Sequence, residues 1–277
     1  MILIPDNARR LSGKRNFLFD LDGCIWFGDR LAPGAAELVS SLRSSGYEVR
    51  FATNISSQTP DEIADRLSLL GIDASGGDIL SPLRVLPFHE AFSGPSASVY
   101  VVAGDTVRRF LTDAGIPVVD RPEHASAVVV GRSPDFDYDD VTASMAATDS
   151  GARLLALNLD MRAPGPDGRF SLPGTGILAA ALAVAGGVEA ELIGKPSLHF
   201  FETGLSVFGF SSDTTVMVGD SIDSDIMGGS RAGLMTILVG TGLRARENSA
   251  DELVEPDIAV PDLAALGQYV GQLQDVP

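Results

Sequence analysis

Phe17-Leu18-Phe19-Asp20-Leu21-Asp22-Gly23 is an apolar run that stops abruptly at two carboxylates spaced one residue apart and followed by glycine. An apolar run bounded in this way reads as a buried strand, and residues two apart in extended backbone point the same way. Asp20 and Asp22 therefore address one point from the end of the strand, while Leu21 turns away from it. Gly23 lets the chain turn and lets backbone amides approach an anion. Alone, an Asp-Gly pair also marks an ordinary turn, so the remainder of the chain has to separate a turn from a nucleophile beside its proton donor.

Working outward, the same pattern repeats. Strands are expected at residues 16–20, 49–53, 98–103, 127–131, 153–158, 214–219, 236–240 and 257–260, with helical stretches between them. That alternation predicts an α/β fold with a parallel sheet covered by helices. Ala35, Leu38, Val39 and Leu42 repeat at helical spacing and end near Gly46, and a second such stretch runs from Pro60 to Gly71. Glycine and proline clusters at 76–87 and 186–196 suggest boundaries. Neither flank carries enough strands for a good sheet. The economical organisation is one core made of residues 1–81 and 193–277, interrupted by an inserted α/β domain at 82–192.

The 277 residues are 45% hydrophobic and 21% charged, with a net charge of −17. A surface so acidic repels nucleic acid and anionic lipid, so an anionic substrate would require local positive charge from a cation or a lysine. The lone cysteine, Cys24, cannot form an internal disulfide, and the start of the chain lacks a secretory pattern, which makes a cytoplasmic location the expectation. No apolar run is long enough to span a bilayer. Three scattered histidines, His89, His124 and His199, give zinc poor support and read as structural or surface residues.

In open α/β sheets ligands bind beyond the carboxyl ends of the strands. Four polar groups stand there: Asp20 with Asp22, Thr53 with Asn54, Lys195 after Glu191-Leu192-Ile193-Gly194, and Asp220 with Asp225. Together they meet the needs of phosphoryl transfer through a covalent intermediate. A carboxylate attacks, an acid protonates the leaving oxygen, and a hydroxyl and a lysine hold the other oxygens. Four gathered aspartates repel one another unless a cation sits among them, and with only oxygen donors that cation is expected to be Mg2+. Taken singly, Thr53 reads as a helix cap, Lys195 as a helix-entry lysine, and Asp223 and Asp225 as first-turn acids.

The segments 20–29 (DLDGCIWFGD), 53–57 (TNISS), 194–197 (GKPS) and 219–233 (GDSIDSDIMGGSRAG) resemble the four signatures of haloacid dehalogenase superfamily phosphatases. More narrowly, the tryptophan and glycine after Asp22-Gly23, Pro33-Gly34-Ala35, residues 156–160 (ALNLD) and residues 173–176 (PGTG) look like the NagD and p-nitrophenylphosphatase branch. The resemblance spans nearly the whole chain. It implies a Rossmann-like core with an α/β cap inserted between the second and third signatures. It also implies Asp20 as nucleophile and metal ligand, Asp22 as general acid and base with its carbonyl on the metal, and Asp220 as the remaining side-chain ligand. Thr53, Asn54 and Lys195 would bind phosphate, and Asp225 would hold Lys195 or metal-bound water. Asn158, Asp160 and the loop around Gly174 match cap segments that face the core in this branch, which makes them candidates for choosing the substrate, although alone they also read as a strand end and a turn inside the cap; caps of this kind often pair into homodimers. Ile55 stands where the family commonly has a second asparagine, which removes one amide from the phosphate loop.

The expectation is a Mg2+-dependent phosphomonoester hydrolase acting on a small phosphorylated metabolite. A phosphotransferase or phosphomutase would share every core residue and differ only in what accepts the phosphoryl group. A dehalogenase would not need Asp22, and a signalling receiver is a single small domain. A nicotinamide-binding protein has two weak supports, Gly240 to Ala245 and Gly174 to Ala179, each fitting the GxGxxA pattern. The first lies too late in the chain to open a doubly wound sheet, and the second follows Pro173 with no strand expected before it.

Overall fold

The computed structural model describes residues 10–164, 171–240 and 254–274. Backbone packing divides the chain into two compact units, one comprising the described parts of 1–53, 61–80 and 201–277, the other 54–60 and 81–200.

The first unit is built on a six-stranded sheet, all of it parallel. Its spatial order is Ile258–Val260, Met235–Val239, Thr215–Gly219, Asn16–Phe19, Glu48–Ala52 and Ile79–Leu80. Strands from both ends of the sequence thus share one sheet. The two central strands, Asn16–Phe19 and Thr215–Gly219, are buried along their whole length, which is why they read as unbroken apolar runs rather than as alternating ones. Helix Ala35–Ser44 buries Ala35, Leu38, Val39 and Leu42, the stripe expected from their spacing. It packs beside helix Leu263–Gln274.

The second unit holds a four-stranded parallel sheet, ordered Ala190–Leu192, Arg153–Ala156, Ala127–Val130 and Val99–Val102. Valines and leucines of these strands pack with Leu178, Ala179 and Leu182 of helix Thr175–Gly186 into its core. A short antiparallel pair, Arg162–Pro164 with Ser171–Pro173, leads into that helix. Among the described residues no helix is long and apolar enough to cross a membrane.

The fold class, α/β with parallel sheets and helices, agrees with expectation. One expectation needs correction: a short strand, Ser171–Pro173, does precede Gly174. It belongs to an antiparallel pair, however, and so is not the opening strand of a dinucleotide-binding crossover. In the other GxGxxA stretch, residues 241–245 lie outside the described residues.

Candidate active site

Parallel strands that start from one edge deliver their last residues to the opposite edge. In the first unit, the strands ending at Gly219, Phe19 and Ala52 are immediate neighbours, and the residues that follow them are Asp220, Asp20 and Thr53. The Asp20 amide donates to the Val218 carbonyl at 2.8 Å, and the Thr53 amide to the Leu80 carbonyl at 2.9 Å. The ladder therefore fixes the backbone up to the point where each side chain leaves it.

Just beyond Asp220 the chain makes a π-helical turn, Ile222–Ile226. The Ile226 amide reaches back to the Ser221 carbonyl at 3.2 Å, and the Asp225 amide donates to the same oxygen at 3.0 Å. The hydrogen bond of such a turn spans one residue more than that of an α-helix, which re-aims the side chains that follow. Here it buries Asp225 completely. One carboxylate oxygen of Asp225 accepts from the Ser221 amide at 3.1 Å.

One oxygen from each of Asp20, Asp220 and Asp225 lies within 4.8 Å of the others, and all three residues are buried. Two glycines make the convergence feasible. A Cβ on Gly23 would stand 2.3 Å from Asp220 Oδ2, and one on Gly219 would stand 2.2 Å from Asp225 Oδ2. Both are far inside contact distance, so the carboxylates occupy space that any larger residue would claim. Three buried carboxylates at this separation repel strongly unless a cation compensates them. Their all-oxygen donor set suits a hard divalent cation. Asp225 brings an oxygen into the group itself, beside Asp20 and Asp220.

Asp22 stays out of this group. Its side chain is exposed, and Oδ1 accepts a hydrogen bond from Trp26 Nε1 at 2.8 Å. The turn that brings Trp26 around is tight: the Leu21 carbonyl accepts from the amides of Cys24, Ile25 and Trp26, and Gly23 adopts φ +93°. Trp26 is fully buried. Nothing in the sequence pattern pointed to this contact, although Trp26 lies four residues after Asp22. Cys24 is buried, as expected of a small apolar side chain.

In the second unit, Asn54 and Lys195 are locked together. The Lys195 amide donates to Asn54 Oδ1 at 2.8 Å, and Asn54 Nδ2 donates to the Lys195 carbonyl at 3.1 Å. Asn158 Nδ2 donates to the Asn54 carbonyl at 3.1 Å, and Asn158 Oδ1 accepts from the Asp160 amide at 3.2 Å. Lys195 is buried and precedes a cis peptide to Pro196. The Gly174 turn lies against this knot. A Cβ on Gly174 would fall 2.0 Å from the Asp160 carbonyl oxygen, and the Gly176 amide donates to that oxygen at 3.0 Å. Asn158, Asp160 and Gly174 are thus brought together, as are Asn54 and Lys195. The Asn54 carboxamide is engaged by the Lys195 backbone on both sides.

His89 and His199, far apart in sequence, pack edge to face with ring centres 5.3 Å apart. His89 also sits 3.6 Å from Glu191, which pairs with Arg153. Burial, reinforced by the Arg153 charge, lowers the His89 pKa, while hydrogen bonding from Arg153 holds Glu191 below the usual carboxylate range. This network braces the second unit.

A buried acidic cluster at the carboxyl ends of a parallel sheet, with a second carboxylate beside the leading aspartate, suits metal-assisted phosphoryl transfer, and the comparisons with known proteins say which family carries it here. A family model for haloacid dehalogenase-like hydrolases matches residues 17–117, and one for HAD-like hydrolases matches 192–266. The 5'-nucleotidase YutF of Bacillus subtilis is 34% identical over 92% of this chain and 98% of its own length. An acid sugar phosphatase of Staphylococcus aureus is 30% identical over 89% and 94% respectively. Among solved structures, the glycerol phosphate phosphatase of Mycobacterium tuberculosis in complex with magnesium superposes with a TM-score of 0.83 at 30% identity, covering 96% of this chain and 81% of that one. NagD of Escherichia coli K-12 gives 0.81 at 26% identity, over 91% and 97%. The chain belongs to the haloacid dehalogenase-like hydrolases and is a phosphatase of their NagD-like branch.

Proposed function

We propose that this phosphatase is a Mg2+-dependent phosphomonoester hydrolase of small metabolites that works through a phosphoaspartate on Asp20. The observation that carries the reading is the convergence of Asp20, Asp220 and Asp225 on one point. The relatives support it, being named for nucleotide, sugar phosphate and glycerol phosphate substrates, one of them solved with magnesium.

Asp20 and Asp220, with the Asp22 carbonyl, would hold the magnesium, and Asp225 lies close enough to steady it directly or through water. When bound, the ion neutralises charge on the carboxylates and on the substrate phosphoryl oxygens. An Asp20 oxygen attacks phosphorus and the bond to the leaving oxygen breaks, while Asp22 gives that oxygen a proton. In the second half, Asp22 takes a proton from water as the water oxygen attacks phosphorus. The bond from Asp20 to phosphorus then breaks, releasing inorganic phosphate and restoring the carboxylate. Thr53, Asn54 and Lys195 bind the phosphoryl oxygens, Asn54 acting by fixing the Lys195 backbone. Residues 82–192 serve as the inserted cap, in which Asn158, Asp160 and Gly174 select the substrate and through which two chains pair. The lone buried thiol favours a cytoplasmic setting.

The test is Asp20→Asn assayed on a metabolite phosphate panel beside the parent enzyme with and without chelator. The variant is expected to fold normally and lose turnover, and chelated enzyme to recover with Mg2+. Undiminished hydrolysis by the variant, or in excess chelator, would refute the reading.

A further inference from the structure

The chain has one tryptophan, and that tryptophan is fully buried with its single polar atom directed at an exposed carboxylate. A buried indole N–H needs an acceptor, but a backbone carbonyl would have served. Here the partner is Asp22 Oδ1, at 2.8 Å. The ring is held from other directions as well. The Arg66 guanidinium lies over its face, 4.3 Å from the ring centre. Arg66 in turn donates to the Gly28 carbonyl at 2.8 Å and faces Asp29 at 3.6 Å. Arg66 thus links the helix Pro60–Leu69 to the small hairpin formed by Trp26–Phe27 and Arg30–Leu31.

The chemistry of the donor gives this contact a direction. An indole N–H only donates, so Asp22 Oδ1 is an acceptor whether or not the carboxyl group carries a proton. A carbonyl oxygen accepts better than the hydroxyl oxygen of the same acid, so this hydrogen bond favours the acid form that carries its proton on Oδ2. An exposed carboxyl group without such a partner rotates freely and presents its proton from either oxygen. We infer that Trp26 is a positioning residue for the reaction: its indole N–H orients Asp22 so that Oδ2 alone gives the proton to the leaving oxygen. The inference rests on the reading of Asp22 as general acid.

A single tryptophan permits an exact atomic test. Growth on benzothienylalanine replaces the indole N–H by sulfur at this one position, and Trp26→Phe is a second variant that keeps a buried ring without the donor. Circular dichroism and thermal melting report whether each variant folds. Leaving-group release is then followed in the first turnover, with enzyme in excess, for p-nitrophenyl phosphate and for glycerol phosphate. The nitrophenolate departs without a proton, whereas the glycerol alkoxide requires one. Loss of a hydrogen bond to a carboxylate that delivers the proton is expected to slow the glycerol reaction about tenfold or more and the nitrophenyl reaction by no more than about twofold. Equal slowing of the two substrates, the mark of general structural damage, would overturn the inference, as would no slowing of either. Asp22→Asn separates the two levels of the claim. If it discriminates between the substrates and the Trp26 variants do not, only the role of Trp26 fails. If Asp22→Asn does not discriminate, the assignment of Asp22 as the acid fails and the inference falls with it.

Discussion

Replacing Gly23 by alanine would test how the acidic cluster is assembled. Two separate penalties act at this position. Gly23 adopts φ +93°, where an L side chain is strained by about 1–2 kcal/mol. In addition, the new Cβ would stand 2.3 Å from Asp220 Oδ2 and 2.8 Å from Asp220 Cγ. Backbone and strand ladder are rigid there, so the Asp220 carboxylate has to swing away from Asp20 and Asp225. Gly46 supplies the control. It has a similar φ of +84° and open space where its Cβ would go, so Gly46→Ala carries the strain without the collision. For a chain of this size, 1–2 kcal/mol lowers the melting midpoint by about 2–8 °C. Both variants are expected to show a fall of that order. Only Gly23→Ala is expected to bind Mg2+ about 10- to 100-fold more weakly, measured by calorimetry, with the phosphatase activity shifted to correspondingly higher Mg2+. Equal Mg2+ affinity in the two variants would refute the claim that Gly23 makes room for a metal-binding Asp220.

Two further outcomes follow from the second unit. Asn54→Ala removes two part-buried hydrogen bonds to the Lys195 backbone, at about 1–3 kcal/mol. KM for phosphate esters is expected to rise about 5- to 30-fold while Mg2+ affinity stays unchanged; an unaltered KM in steady-state kinetics would argue against a phosphate-binding role for this pair. His89 has a folded-state pKa below its ordinary 6.5, so its neutral form is favoured in the native state. The stability it contributes is present above that value and is lost as pH falls through it. Glu191, also lowered, contributes above its ordinary 4.5 and is lost only in stronger acid. Between about pH 7 and pH 5 the parent protein is therefore expected to lose more thermal stability than His89→Gln, and parallel melting curves over that range would contradict the assignment.

The parts of the fold with strong sequence signals were legible because burial leaves them no alternative. The strand ending at Phe19 and the one ending at Gly219 are buried at every position, so their apolar runs and the carboxylates that follow could be read directly. Helix Ala35–Ser44 announced itself through four buried residues on one stripe. The elements without a sequence signal are short or depend on tertiary contacts. Ile79–Leu80 is too brief to show a period and becomes a strand only because a neighbouring strand offers its edge. The three-residue strands of the antiparallel pair that precedes Gly174 are likewise too short to carry a periodic signal. The meeting of Trp26 with Asp22 depends on a glycine at positive φ and on three amides converging on the Leu21 carbonyl, geometry that spacing does not reveal. His89 and His199 looked scattered, yet the second unit packs their rings together. The burial of Asp225 arises from one π-helical turn, whereas its position in the sequence resembles that of any first-turn acid.

The most direct measurement concerns the covalent bond itself. Parent enzyme mixed with substrate and Mg2+, quenched within a turnover and treated with borohydride, should yield homoserine at position 20, because borohydride reduces an acyl phosphate and spares a free carboxylate. Peptide mass spectrometry that finds homoserine there and at no other aspartate is the expected result. Enzyme that turns over while Asp20 remains unmodified, or that carries the label at another residue, would contradict nucleophilic attack by Asp20.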